Sequence, residues 1–198
     1  MTVRAGLAGG PSEALFSKAD RLNSLNSAAQ KIDAINDWIG RVTAWTALLM
    51  VIIQFVVVVM RYVFGVGSIM MQESVIYLHA ILFMIGAGYT LLYGGHVRVD
   101  IFYRDASARG KAILDLIGIA VFLLPVCILI WWFSWRYVGA SWAVFEGSKE
   151  TSGIQAVFLL KSTILAFAAL MGLQGISLAI HSILVLIGAE PPVEQSAP

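Results

Sequence analysis

Residues 42–60 read VTAWTALLMVIIQFVVVVM, a run that carries no charged side chain. A helix that crosses a hydrocarbon core about 30 Å thick needs about 20 mostly apolar residues, so this run predicts a transmembrane helix. Three similar runs follow it, at residues 69–93, 113–135 and 157–187. The sequence therefore predicts an all-α integral membrane protein with four transmembrane helices.

The overall composition supports a membrane location. Of the 198 residues, 59% are hydrophobic and only 13% are charged, which is too apolar for a soluble domain of this length. The formal net charge is +1, so nothing in the charge balance predicts a nucleic-acid partner. The surplus of apolar side chains is expected to contact the lipid bilayer.

The segment before the first run has apolar residues at steps of three and four, which is the pattern of an amphipathic helix. These residues are Leu15, Ala19, Leu22, Leu25, Ala29, Ile32, Ile35 and Ile39. We expect a helix that lies on the membrane surface and bends into the first span near Gly40; a partly ordered tail is the alternative. The predicted organisation is a cytoplasmic tail with this helix at residues 1–37, a transmembrane domain at 38–188, and a disordered cytoplasmic tail at 189–198.

The distribution of cations between the loops predicts the orientation. The short loop after the first span contains one cation, Arg61, and the loop after the second span contains four. Those four are Arg98, Arg104, Arg109 and Lys111. Because cytoplasmic loops are enriched in Lys and Arg, both termini are expected in the cytoplasm. Arg136, Lys149 and Lys161 fall on the predicted outer side and weaken this bias.

Few polar side chains are available for chemistry within the membrane. They are Gln54, His79, Cys127 and Gln174 inside the spans, with Gln72, Glu73, Asp115, Lys161 and His181 towards the span ends. Such residues commonly hydrogen-bond helices to one another. No metalloprotease, redox or nucleophile motif is present, so catalysis is not predicted. His79 and His181 are expected to differ in depth by about 15 Å, which disfavours a shared haem iron.

Two features suggest how the helices are held together. Arg61 and Glu73 lie at the outer ends of consecutive spans, so they either form an ion pair or each extend separately to water. Ala168, Gly172, Gly175 and Ala179 recur at steps of four, three and four along the fourth span. Such stripes of small residues allow close helix packing in lipid, so this one is either an internal seam or a docking face.

Several stretches resemble the small membrane subunit, called DctQ, of tripartite ATP-independent periplasmic (TRAP) transporters. Residues 61–73 read RYVFGVGSIMMQE and residues 86–103 read GAGYTLLYGGHVRVDIFY. The family's Arg-aromatic start, its Glu in the second span and its Gly-His-x-Arg-x-Asp stretch correspond to these positions. They are Arg61 with Tyr62, Glu73, and Gly95, His96, Arg98 and Asp100. Residues 141–153 and 158–177 also resemble the family, and the resemblance covers roughly residues 38–186.

The resemblance implies a subunit of the bacterial inner membrane that binds a large multispan permease and works with a periplasmic solute-binding protein. It implies uptake of an organic acid or similar solute, driven by an ion gradient, usually sodium, whose site lies in the large subunit. No cofactor is expected in this subunit, which would enlarge a stationary scaffold. The alternatives are a four-helix membrane anchor of a respiratory or redox complex, and a small self-sufficient channel or carrier.

The loop after the second span has two possible roles. His96, Arg98 and Asp100 alternate, so they can share one side of an extended stretch, and Gly94 and Gly95 allow a tight exit from the helix. We expect this segment to anchor the cytoplasmic end of the scaffold, within this chain or against the large subunit. The alternative is a solvated loop whose arginines only set the orientation.

Overall fold

A computed structural model describes residues 11–96, 103 and 105–189, with side chains from residue 20 onward. It contains four long helices: α1 (Pro11–Val63), α2 (Ile69–Leu92), α3 (Ala108–Ala143) and α4 (Val157–Leu186). All four are long and apolar enough to cross a membrane, and the described residues contain no strand. The predicted all-α class with four membrane-spanning helices is confirmed.

Helix α1 is continuous through the position where a bend was expected. It runs unbroken from Pro11 to Val63, which at about 1.5 Å per residue is about 80 Å. Glycine lowers helix propensity by only about 1 kcal/mol, so Gly40 does not have to interrupt the helix. Instead it allows a close approach, because a Cβ at this position would lie 2.2 Å from the ring of Tyr89. The location of the N-terminal part of α1 on a membrane surface stays a prediction.

Two of the helices contain one wider, π-helical turn each. In α2 this turn spans Ile81–Ile85, and in α3 it spans Ile119–Leu123, immediately before Pro125. Proline has no backbone N–H to donate and its ring crowds the preceding turn. A wider turn before Pro125 lets α3 continue as one helix.

Helix α4 is the centre of the bundle. It packs against α1, α2 and α3, and it contributes more buried side chains than any other helix. Within the described part of the chain, α3 packs against α4 alone and has no Cα within 8 Å of α1 or α2. A groove therefore separates α2 from α3, with α4 as its floor.

The outward faces of the helices are strongly apolar. Trp45 is 71% exposed and Phe133 is 74% exposed, and similar residues surround the bundle. So large an apolar surface would cause aggregation in water. In a bilayer it can contact lipid or another membrane subunit.

Glycines close the C-terminal ends of α2 and α4 in the same way. Gly94 and Gly188 both adopt positive φ angles, 66° and 73°. The N–H groups of Gly95 and Ala189 then return to the carbonyls of Thr90 and Leu184. This pattern satisfies the last carbonyls of a helix and turns the chain sharply. The predicted tight exit from the second helix is present.

Candidate functional site

The most extensive polar contact joins the N-terminal half of α1 to the C-terminal half of α4. We call it the Gln174 cluster, and it consists of Asp33, Asn36, Gln174, Ser177 and His181. Gln174 donates to Asp33 Oδ1 at 2.8 Å and accepts from the Asn36 amide at 2.7 Å. The Ser177 hydroxyl donates to Asp33 Oδ1 at 2.6 Å, and His181 Nε2 lies 3.0 Å from Asp33 Oδ2. Two helices far apart in sequence are thereby fixed in register.

The spacing on α4 explains why one carboxylate can collect these partners. Residues 174, 177 and 181 recur at steps of three and four, so they form one polar stripe on the helix face that meets α1. Gln174 and Ser177 are buried, at 2% and 0% exposure. Buried polar groups without partners are costly, so these contacts select one rotation of α4 against α1. This is the helix-joining role expected of Gln174 and His181.

Asn36 extends the cluster to α2. Its side chain is 1% exposed, and its Oδ1 atom has no hydrogen-bond donor among the described residues. That atom lies against Gly88, where an added Cβ would be 2.6 Å away and also 3.3 Å from the Leu170 carbonyl. Only glycine fits at this crossing, because the α1 side chain and the α4 backbone both press on α2. The three helices therefore meet at a single point.

A second contact near this end joins α1 to the C-terminal end of α2. The Tyr93 hydroxyl donates to Asp37 Oδ1 at 2.7 Å, and Arg41 Nε lies 2.9 Å from Asp37 Oδ2. Arg41 is exposed and Asp37 partly so, and an ion pair in contact with solvent contributes little to stability. The contact is directional, and it acts where α1 and α2 cross at Gly40 and Tyr89.

At the opposite end of the bundle, Glu73 holds the loop between α3 and α4. We call this arrangement the Glu73 clamp. The Ser148 hydroxyl donates to Glu73 Oε1 at 2.5 Å and the Ile154 N–H donates to Glu73 Oε2 at 2.6 Å. The Tyr77 hydroxyl also reaches the Ile154 carbonyl, at 3.4 Å. Gly153 is required at the closure, because a Cβ there would lie 2.7 Å from Glu73 Oε1.

The same loop is tied to the first turns of α4 by Lys161. Its ammonium lies 2.5 Å from Glu146 Oε2 and 4.2 Å from the centroid of the Tyr137 ring. The hydrogen bond from Lys161 holds the pKa of the Glu146 carboxyl below its ordinary value. Trp142 donates to Ser162 at 2.8 Å from the same side of the helix pair. Residues 144–156 form a connecting loop, but these contacts hold the loop in a fixed shape.

The structure contains no ion pair between Arg61 and Glu73, which was one of the two arrangements that the sequence left open. Both oxygens of Glu73 are bonded to the loop between α3 and α4. Arg61 is exposed, and among the described residues no ion pair joins it to Glu73. The backbone N–H of Ile154 and the hydroxyl of Ser148 come close enough to satisfy the carboxylate, and the more distant guanidinium is left in solvent.

The stripe of small residues on α4 packs inside the molecule. A Cβ at Gly175 would lie 2.3 Å from Leu123, and one at Gly172 would lie 3.7 Å from Cys127, so both glycines face α3. Ala168 is 4% exposed, and Ala179 is half-buried. Of the two predicted roles, the glycines of this stripe serve as an internal seam with α3.

The segment after α2 is only partly described. Gly95 packs on Thr90. His96 lies at the mouth of the groove between α2 and α3, where it lines two adjoining cavities. Arg98 and Asp100 lie outside the described residues, as does the predicted tail from residue 190 onward. The anchoring role proposed for residues 95–100 stays a prediction.

Sequence reasoning missed the partners of two acidic residues. Asp33 lies in the segment predicted to be a surface helix, yet it joins α1 to α4 across 141 positions of sequence from Gln174. The sequence signal for this contact was the position of Asp33. It lies two residues before Ile35 and three before Asn36, on the side of the helix opposite the exposed apolar residues. Ser148 and Ile154 gave no signal, since hydroxyl and backbone donors are common in loops.

A protein-family comparison gives a match for most of the membrane domain. The model described as tripartite ATP-independent periplasmic transporters, DctQ component, matches residues 50–185. That range includes Glu73, the loop it holds, and all of α4 up to Val185. It excludes Asp33 and Asn36, so two of the five residues of the Gln174 cluster lie outside it. Comparisons with characterised proteins and with solved structures found no match.

Proposed function

The chain belongs to the DctQ component family of tripartite ATP-independent periplasmic transporters, and from that premise we propose that it is a stationary scaffold for a large permease subunit. It is a transporter subunit and not an enzyme. Family membership therefore favours the transport assignment over the respiratory anchor. What remains to be proposed is how this subunit contributes and which partners and solute it serves.

The observation that carries the scaffold proposal is the attachment of α4 at both ends. The Gln174 cluster fixes its C-terminal half to α1, and the Glu73 clamp fixes the loop that enters its N-terminal end. Between these points α4 packs on α3 through the glycine seam. A subunit that changed its internal packing during transport would need helices that slide or separate. These contacts instead hold the described helices as one unit.

The proposed partners follow from the family. We propose a large multispan permease subunit beside the apolar outer faces of this chain, in a bacterial inner membrane. A periplasmic solute-binding protein would approach the end that carries the Glu73 clamp, where a loop of fixed shape offers a preorganised surface. The solute is proposed to be an organic acid or a similar solute, with an ion gradient, usually of sodium, coupled in the large subunit.

A pull-down tests the partnership. The tagged chain, extracted in mild detergent from its native membranes, should recover a large multispan permease in near-stoichiometric amount. The same pull-down is made with the variant Phe133→Glu and compared with wild type. This substitution places a charge on an exposed apolar face without touching the buried contacts. Recovery of the chain alone, or together with haem proteins, would contradict the proposal.

Transport by reconstituted proteins tests the scaffold role. Proteoliposomes with the permease, this chain and the binding protein should accumulate a labelled organic acid when a sodium gradient is imposed. Liposomes with this chain alone should show no accumulation. Uptake by this chain alone would favour a self-sufficient carrier and contradict the scaffold proposal.

A further inference from the structure

Three polar side chains lie on the outer surface of the α1–α2 pair, within the apolar spans. Gln54 of α1 and both Gln72 and His79 of α2 are exposed. The His79 ring stacks on Phe83, but none of the residues that the structure describes hydrogen-bonds to any of the three polar side chains. A neutral imidazole has one donor and one acceptor, and a side-chain amide has two donors and an acceptor oxygen. These groups therefore need partners that the described residues do not supply.

Two of the three groups lie deep in the membrane. The turn at residues 64–68 joins α1 to α2. Gln54 lies nine residues before the end of α1 at Val63, and His79 lies ten residues after the start of α2 at Ile69. These distances are about 14 and 15 Å along the helices, well within a hydrocarbon core about 30 Å thick. Acyl chains offer no hydrogen bonds there, so exposure of these groups to lipid is costly.

The polar residues of α2 share one face with exposed apolar residues. Four exposed residues recur at steps of four, three and four along the helix, so they are neighbours on its surface. They are Gln72, Ile76, His79 and Phe83, and we call this face the His79 stripe. Ile76 is 57% exposed and Phe83 is 67% exposed. Apolar residues interspersed with hydrogen-bonding groups are typical of contacts between transmembrane helices.

Gln54 lies on the side of α1 that borders the His79 stripe. His79 lines a cavity together with Gly40 and Thr43 of α1. From Gly40, steps of three and four lead along one face of α1 through Thr43 to Gln54. The unpaired groups of the two helices therefore belong to one continuous surface.

The cavity beside His79 allows another helix to approach closely. Ala44, Gly86 and Ala87 contribute only small side chains, or none, to its lining. A Cβ at Gly86 would meet no atom within 4 Å, so this glycine borders open space. In lipid, small residues let the backbones of neighbouring helices come close together. The surface thus combines a notch with hydrogen-bonding groups.

From these observations we propose that the His79 stripe, together with Gln54, docks a transmembrane helix of the large permease subunit. That helix supplies hydroxyl, amide or imidazole groups that hydrogen-bond to His79 and Gln54 within the membrane. The inference rests on the proposed function and adds to it the docking face and the chemistry of the contact. Lipid hydrocarbon lacks hydrogen-bonding groups, so lipid alone leaves His79 and Gln54 unpaired.

Photo-cross-linking in native membranes locates the partner. A photoreactive benzoylphenylalanine replaces Phe83 of the His79 stripe in one variant and Phe122 of α3 in another. The two positions are matched, because the phenylalanines are 67% and 68% exposed and both lie within spans. After irradiation, the probe at residue 83 should form an adduct with the large permease, identified by mass spectrometry. The probe at residue 122 should form little or none.

Apolar replacement tests the hydrogen-bonding groups themselves. The double variant His79→Leu, Gln54→Leu removes groups without a hydrogen bond among the described residues, so the thermal midpoint of the isolated chain should not fall. Recovery of the permease by the tagged chain should fall about tenfold, which corresponds to about 1.4 kcal/mol. Phe122→Leu is the control and should leave recovery unchanged.

The outcomes separate this inference from the proposed function. If wild type recovers no permease, the proposed function fails and the inference fails with it. If wild type recovers the permease but the probe at residue 83 links to a second copy of this chain, or to no protein, the inference alone is overturned. Equal permease adducts at residues 83 and 122, or full recovery by the double leucine variant, would overturn it as well.

Discussion

Replacing Glu73 should release the loop between α3 and α4 in a graded way. The carboxylate accepts the Ile154 N–H at 2.6 Å and the Ser148 hydroxyl at 2.5 Å. Glu73→Gln keeps the length of the side chain and one acceptor oxygen, but it removes the charge. Glu73→Ala removes both acceptors. The two variants should therefore weaken the same contact by different amounts.

The magnitudes follow from the type of hydrogen bond that is lost. A hydrogen bond to a charged group contributes about 1.5–3 kcal/mol, and a neutral one about 0.5–1.5 kcal/mol. Glu73→Gln should thus cost about 1 kcal/mol at Ile154, which is about a fivefold shift in the opening equilibrium. Glu73→Ala should cost about 1.5–3 kcal/mol, or roughly 10-fold to 100-fold.

Hydrogen exchange of the Ile154 amide in detergent micelles measures this opening directly. Its protection factor should fall in the order wild type, Glu73→Gln, Glu73→Ala, while amides of the Gln174 cluster stay unchanged. Glu150→Ala is the control, since Glu150 lies exposed on the same loop and contributes hydrogen bonds only through its backbone. Equal exchange at Ile154 in all four proteins would refute the clamp.

Two further predictions concern helix packing and acid sensitivity. Gly88→Ala should lower the thermal midpoint by the equivalent of about 1–3 kcal/mol, because its Cβ would lie 2.6 Å from Asn36 Oδ1. Gly86→Ala is the control and should change the midpoint little, because a Cβ there has no atom within 4 Å. Equal midpoints for the two variants would contradict the three-helix crossing. The lowered pKa of Glu146 means that its contribution to stability is present above the ordinary carboxyl pKa and is lost as the pH falls through the folded value. Wild type should therefore lose more stability than Glu146→Gln between pH 6 and pH 3 in melting curves, and parallel losses would argue against a role for the Lys161 contact.

The sequence located the helices well because each span is a separate apolar run. The predicted starts at residues 69 and 157 coincide with the observed helix starts at Ile69 and Val157. Helix α3 continues to Ala143, beyond the predicted end at residue 135. Hydropathy falls at Arg136 and Tyr137, but neither residue breaks a helix, so helical structure outlasts the apolar run. For the same reason α1 extends far before residue 42.

The contacts between helices were much harder to predict. Glu73 was singled out as a structural candidate, but the partner considered for it was in the adjacent turn, at Arg61. The actual donors, Ser148 and Ile154, lie 75 and 81 positions away. Which helix faces meet depends on the rotation of each helix, and a nearly uniform apolar surface leaves that rotation undetermined. Only the polar stripe and the glycine seam of α4 carried such information.

Different parts of α4 are held by different kinds of contact, which gives a physical reason for the polar contacts at its two ends. In lipid the hydrophobic effect does not drive helices together. Apolar packing therefore holds α4 against α3 only where the surfaces of the two helices are complementary in shape. The glycine seam provides that match in the middle of the helix. Near the ends, Asp33 and Glu73 supply directional hydrogen bonds that fix rotation and height as well as distance. Restraints of this kind hold the described helices as one unit, which is the property that the proposed scaffold role requires.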